Sequence, residues 1–202
     1  MLNKLIIFIK NPILGTVKTR LAVAIGDEMA LKVYNRLLEK SRNETQAVLA
    51  ERHLFYSKEI KNDNWSSNYF KKHLQVEGDL GEKMRTAFET VIEPNSKTII
   101  IGSDCFDLTS EIIDEAFEAL DKNDLVIGPA NDGGYYLLGM KKLTPELFES
   151  VAWSTDAVLS ETLKRAKELE LKVKCLQELI DIDNIDDLKK SGYSPKIEKI
   201  ND

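Results

Sequence analysis

The chain has 202 residues, 43% of them hydrophobic and 31% charged, and a formal net charge of −6. That is enough apolar material for one sizeable core, with no apolar run long enough to span a bilayer. The charge has the wrong sign for general nucleic-acid binding, which needs a broad basic face. Cys105 and Cys175 are too few for a disulfide framework and fit a reducing compartment. No small-residue cleavage site follows the short apolar start, so the chain reads as cytoplasmic.

In chain order, residues 5–9 (LIIFI) read as a buried strand. A loop carrying Pro12, Gly15, Lys18 and Arg20 follows. Gly26 and Asp27 open a long helix on which Met29, Ala30, Val33, Leu37 and Leu38 share one face. Residues 53–57 and 73–77 give two further strands, separated by a polar, loop-rich stretch. Residues 79–93 have helical periodicity, and residues 97–104 (KTIIIGSD) contain the clearest strand, stopped by Gly102. A helix over 109–122 is capped by Thr109 or Ser110, with acidic residues in its first turn. Strands at 124–128 and 135–140 flank the turn-rich PANDGG, and of Tyr135 and Tyr136 one should face the core. A helix capped by Ser154 or Thr155, a strand at 171–176 and a short helix from the cap Asn184 to the terminator Gly192 complete the pattern. This alternation predicts a three-layer α/β/α domain with a mostly parallel sheet over residues 1–192 and a polar tail over 193–202.

In open α/β sheets, ligands bind beyond the carboxyl ends of the strands. Four such loops stand out: KNPILGTVKTRL, GSDCFDL, GPANDGGYY and DIDNIDDL. The first is basic and the others carry aspartates. Lys18 and Arg20 could neutralise a phosphate, and Gly15 could let the backbone turn close to one; the same residues could equally be solvated loop residues. Asp104 and Asp132 suit either a metal or ligand role or a plain turn. Asp181 and Asp183, two apart, face the same way on an extended segment, and negative charge is also welcome before a helix N-terminus. No Walker A pattern and no G-x-G-x-x-G is present. His53 and His73 lie away from the aspartate loops, and nothing in the sequence near Cys105 would activate its thiol.

Taken together, PILGTVKTRL, VEGDLGEKMRTAF, IIIGSDCFDL, GPANDGGYYLLGM, VAWSTDAVLSETL and DIDNIDDL, in this order over nearly the whole chain, resemble a family of small bacterial and archaeal glycosyltransferase-like proteins of the rSAM/selenodomain-associated transferase type. That family belongs to the nucleotide-diphospho-sugar transferase (GT-A) superfamily. The VKTRL loop and GSD strand end are also similar to phospholactate guanylyltransferases and, more loosely, to molybdenum cofactor guanylyltransferases. The resemblance implies a GT-A-like fold. In it Gly15, Lys18, Arg20 and Gly81 would bind the nucleotide, with Lys18, Arg20 and Asp104 catalytic. Asp104 and Asp183 would hold a divalent metal, Mg²⁺ or Mn²⁺. Asp132, Gly133, Gly134, Trp153 and Ser154 would form the acceptor or sugar pocket, shaped by residues 78–81 and 153–155. The sequence departs from the family pattern at Phe106, where proline is commoner, at Asn131, and in DNIDDL, where DTPEDL is commoner.

The implied function is metal-dependent transfer from a nucleotide donor to a small-molecule acceptor, with no nucleic-acid partner. It would be either nucleotidyl transfer from a nucleoside triphosphate or glycosyl transfer from a nucleotide sugar. The alternative is a nucleotide-binding or regulatory module without catalysis. Base, acceptor and oligomeric state are not readable from the sequence.

Overall fold

A computed structural model describes residues 1–191 and 193 of the chain. Its centre is a seven-stranded sheet in the order β3-β2-β1-β4-β6-β5-β7. The strands are β1 (Leu2–Ile9), β2 (Glu51–Tyr56), β3 (Lys71–Leu74), β4 (Ser96–Ile101), β5 (Leu125–Pro129), β6 (Tyr135–Met140) and β7 (Val173–Cys175). All pairings are parallel except those of β6, which runs antiparallel to both β4 and β5. The expected three-layer, mostly parallel architecture is therefore the one observed.

The isoleucine run of β4 shows how the layers form. Side chains alternate across a strand, so Ile99 and Ile101 enter one core while Ile100 enters the other. Every residue of β4 is buried, because both faces of a central strand are covered by helices. On the first face pack α1 (Thr19–Ile25), α2 (Asp27–Ala47), α4 (Ser110–Ala119) and α6 (Ile185–Lys190), through residues such as Leu21, Val33, Ile113 and Leu188. On the second pack α3 (Leu80–Val91), a 3₁₀ turn at Pro145–Phe148 and α5 (Val158–Glu168), through Met84, Phe88, Phe148 and Ala166.

Local chemistry explains two of the helix starts. In α3 the Asp79 carboxylate accepts from the Glu82 N–H while the Glu82 carboxylate accepts from the Asp79 N–H, a reciprocal capping box. Asn184 and Asp187 form the same device at α6. At α4 the cap residue is Thr109, but its side chain makes no capping bond; the Ser110 N–H donates instead to Glu44 of α2 at 2.8 Å.

Three expectations change. The basic loop ends sooner than the sequence suggested, because Thr19–Ile25 forms the separate short helix α1, closed by Gly26. Met29 is exposed, although Ala30, Val33, Leu37 and Leu38 are buried as expected. Helix α5 starts at Val158 with Ala157 as its cap, not at Ser154 or Thr155. Ser154 has φ +65°, and residues 153–157 form an irregular turn whose Thr155 hydroxyl donates to the Ala152 carbonyl. Gly192 and residues 194–202 of the expected terminator and tail lie outside the described residues. Tyr193 is buried, with its ring edge-on to Phe106 at 5.1 Å.

Candidate active site

Because β6 is the reversed strand, β1, β4, β5 and β7 all point their carboxyl ends the same way. The four loops singled out by sequence therefore meet at one edge. They line a cleft of about 610 Å³ whose walls include Lys18, Arg20, Asp104, Asp132, Asp181 and Asp183. A second lobe of about 600 Å³ adjoins it between α3 and the sheet, with Phe8, Met84, Ile100 and Leu138 in its wall. Lys10, Asp104, Tyr135, Trp153 and Asp181 border both lobes.

At the centre stands Lys18. Its backbone is left-handed, φ 50° and ψ 42°, at the residue before α1, a conformation that L-residues rarely hold without support from their surroundings. Its side chain is 4% exposed, and Nζ lies 2.9 Å from Oδ1 of Asp104 and 3.4 Å from Oδ1 of Asp183. Burial alone would lower the pKa of this ammonium, but Asp104, by charge and close polar contact, with the charges of Asp183 and Asp181, raises it overall. Arg20 reaches Oδ2 of Asp183 at 3.6 Å from the rim, with a side chain 78% exposed.

The aspartates are held by backbone ties between distant segments. The Ile182 N–H donates to the Asp104 carbonyl at 3.1 Å, joining the end of β4 to the segment after β7. Asn131 accepts the Asp181 N–H and donates its own N–H to the Leu179 carbonyl. The Asp187 carboxylate accepts the N–H groups of Asp183 and Asn184. Asp181 also accepts from the Cys105 thiol at 2.7 Å. Burial, then the charge of Asp104, pushes the Asp181 carboxyl up to about 7. The Cys105 thiol is raised well above its ordinary value, first by burial and then by Asp181, so it is no nucleophile at neutral pH.

The other sequence-selected residues divide into lining and support. Asp132, Gly134, Trp153 and Ser154 line the polar cleft. Gly133 lies behind them at φ +86°, and a Cβ there would come 2.2 Å from the Asp156 carbonyl oxygen. Only glycine lets the β5–β6 loop press so closely on the turn before α5. Gly81 lies outside both linings, under Trp153, and Gly15 lies in the turn before Thr16. Gly78 lines the second lobe. Sequence reasoning passed over Lys10, Tyr135 and Asp181 as site residues. Of these, only Asp181 left a signal, its two-residue spacing from Asp183 on an extended segment.

Asp104 and Asp183, which both meet the Lys18 ammonium, are the two carboxylates that could hold a divalent cation. Oδ1 of Asp104 is buried and meets Lys18 as an ion pair, not as a well-directed hydrogen bond. Mg²⁺ commonly takes one or two carboxylates and completes its shell with phosphate oxygens and water. Among the described residues no three His, Cys, Asp or Glu side chains converge into an all-protein metal cage.

Solved structures share this fold. A Desulfovibrio desulfuricans G20 protein provisionally assigned as a nucleotide-diphospho-sugar transferase is 26% identical, with TM-score 0.87 over 98% of this chain and 89% of its own. The inositol-1-phosphate CTP transferase of T. maritima is 16% identical, with TM-score 0.60 over 94% of each chain. Rv0371C of Mycobacterium tuberculosis H37Rv, solved as a manganese complex, is 12% identical, with TM-score 0.54 over 94% of this chain and 97% of its own. The α/β fold is thus that of the nucleotide-diphospho-sugar transferases and nucleotidyltransferases. No helix among the described residues is long and apolar enough to cross a membrane. No curated protein matches the chain by sequence. Residues 41–155, more than half of the chain, match the family described as "Uncharacterized protein conserved in bacteria (DUF2064)", and the protein belongs to that family.

Proposed function

We propose that this protein is a cytoplasmic, metal-dependent nucleotidyltransferase that joins a nucleoside monophosphate to a small anionic acceptor. One observation carries the reading: two cations, Lys18 at the end of the first loop and Arg20 in the first turn of α1, meet Asp104 and Asp183 over one cleft. A triphosphate brings several negative charges, and a basic loop opposite a carboxylate pair suits a donor that needs charge neutralisation on both sides.

In the proposed reaction an acceptor oxygen forms a bond to the α-phosphorus as the bond to the bridging oxygen breaks, and pyrophosphate leaves. Lys18 and Arg20 would hold the charge that builds on the leaving group, the buried Lys18 more strongly because less water screens it. Asp104 and Asp183 would hold the Mg²⁺ or Mn²⁺, which when bound supplies Lewis-acid stabilisation of phosphoryl oxygens. The second lobe, walled by Phe8, Met84 and Trp153, would exclude water from the rest of the donor. Asp132, Gly134 and Ser154 would contact the acceptor. The manganese complex of Rv0371C and the CTP chemistry of the T. maritima enzyme support this reading.

Glycosyl transfer from a nucleotide sugar is a second reading, favoured by the 26% identity to the D. desulfuricans protein. The test is thermal unfolding with each nucleoside triphosphate and a panel of nucleotide sugars, with and without Mn²⁺. A ligand at 100 times its Kd stabilises by about 2.7 kcal/mol. A Mn²⁺-dependent rise with one triphosphate, followed by pyrophosphate release once an acceptor is added, supports nucleotidyl transfer. A rise confined to a nucleotide sugar moves the assignment to glycosyl transfer. Triphosphate binding without turnover on any acceptor leaves a nucleotide-binding module.

A further inference from the structure

The feature that the proposed reaction does not explain is where Lys18 sits. A phosphate-binding lysine has no need to lie between two carboxylates. Yet Nζ is within 3.4 Å of one oxygen from each of Asp104 and Asp183. A metal held by both carboxylates would stand beside this ammonium, cation against cation, and would compete with it for the charge of the same two side chains.

We infer that Lys18 is an exchangeable internal cation: in the nucleotide-free protein its ammonium holds Asp104 and Asp183 together, and it must leave them before a metal can bind there. This rests on the metal-dependent reading above. Lys18 is 4% exposed on its side chain, so it cannot simply withdraw into water. A buried ammonium without a partner is strongly unfavourable. The donor's phosphates supply the replacement partner, and the metal then takes the carboxylates. Nucleotide and metal therefore each remove the obstacle to the other, which is positive coupling between two ligands. Arg20 has a lesser part, because it meets Asp183 alone, at 3.6 Å and from a largely exposed position. The left-handed backbone of Lys18 is consistent with a side chain that the loop aims deliberately into the cleft.

The exchange gives Lys18 a positioning role that metal binding alone can read, with no turnover needed. Mn²⁺ is titrated into the nucleotide-free protein and free Mn²⁺ is followed by its electron paramagnetic resonance signal. Wild type, Lys18→Met and Arg20→Met are compared. Lys18→Met should bind Mn²⁺ more tightly than wild type by about tenfold or more, within the usual span of coupling between sites. Arg20→Met should gain clearly less, since Arg20 meets one carboxylate, at 3.6 Å and from a largely exposed position, where Lys18 meets two. Equal affinity in wild type and Lys18→Met would overturn the exchange while leaving the metal reading intact, and so would equal gains in the two variants. No Mn²⁺ binding to any of the three would overturn both. Should Lys18→Met fail to fold, Lys18→Leu, which likewise leaves both carboxylates without an ammonium, carries the same comparison.

Discussion

Trp153 stands directly over Gly81: a Cβ on residue 81 would lie 2.2 Å from the indole nitrogen and 2.4 Å from Cε2. The first turn of α3 thus supports one wall of both lobes of the cleft. Gly81→Ala should push the indole outward and destabilise by about 1–3 kcal/mol, less up to about 1 kcal/mol recovered by better helix propensity. The checks are tryptophan emission, which should shift to the red, and the Tm. An unchanged spectrum would mean that Trp153 does not depend on this contact.

Arg20 separates binding from stability. Its ion pair with Asp183 is at the surface, where such pairs are worth about 0–1 kcal/mol. Arg20→Ala should leave the Tm nearly unchanged. It should weaken a triphosphate by about 1.5–3 kcal/mol, as for a lost hydrogen bond to a charged group, and leave a free nucleoside unaffected. Equal losses for nucleoside and triphosphate, measured by calorimetry, would remove Arg20 from the phosphate site.

Asp104→Asn keeps the shape of the side chain but removes a carboxylate from the pair around Lys18. The Mn²⁺-dependent part of triphosphate binding should disappear. Any turnover should fall by about 100-fold or more, as when a charge-stabilising group is lost. Circular dichroism should show the fold intact. Undiminished Mn²⁺ dependence would exclude Asp104 as a metal ligand.

The β2–β3 edge of the sheet should carry a pH response through two histidines outside both cleft linings. His53 Nδ1 lies 3.0 Å from His73 Nε2, and His53 Nε2 lies 2.7 Å from Glu51. Burial lowers the pKa of both rings, against the pull of Glu51 on His53 and with the help of Lys71 on His73. Lowered values favour the neutral rings in the folded state. Their stabilising effect is therefore complete above the unfolded pKa of about 6.5 and is lost as pH falls through the lower folded values. Glu51, held down to about 2 chiefly by its hydrogen bond from Lys71, stays charged throughout this window. Asp181, raised to about 7, gains stability as pH falls through the same window, so the ring effect is read as a difference: His73→Phe, which keeps the stack on Phe55, should gain Tm relative to wild type as pH falls from 7.5 to 5.

How much of this was legible beforehand follows from how far apart the interacting residues lie. The strands announce themselves locally: the isoleucines of β4 and the run in β1 are buried on both faces, so each is continuously apolar. The Asn184 cap is legible too, because its partner Asp187 is three residues away. Helix α1 was hidden because only Leu21 among its seven residues is buried, which leaves almost no periodic signal. Ser154 and Thr155 look like helix caps, but the packing of their turn against Gly133 takes precedence. The four loops could be placed at one edge from the strand pattern alone. That Lys18 lies between Asp104 and Asp183 could not, since nothing in the local sequence relates residues 18 and 183. Asn131, marked only as a departure from the family pattern, ties the Asp181 segment in place.

The bond between Lys18 and Asp183 joins positions 165 residues apart, and this orders events during synthesis. All seven strands end by Cys175, so a ribosome-bound chain can pair its whole sheet before Asp181 and Asp183 have emerged. Such a chain has Lys18 facing Asp104 with half of its counter-charge absent. On the proposed function, the cleft is complete only when the final segment docks through Asn131 and the Asp104 carbonyl. Premature termination near residue 178 also strips Ile182 and Leu188 from the core, so such a chain should melt well below the full one and lose the triphosphate response expected of the complete cleft.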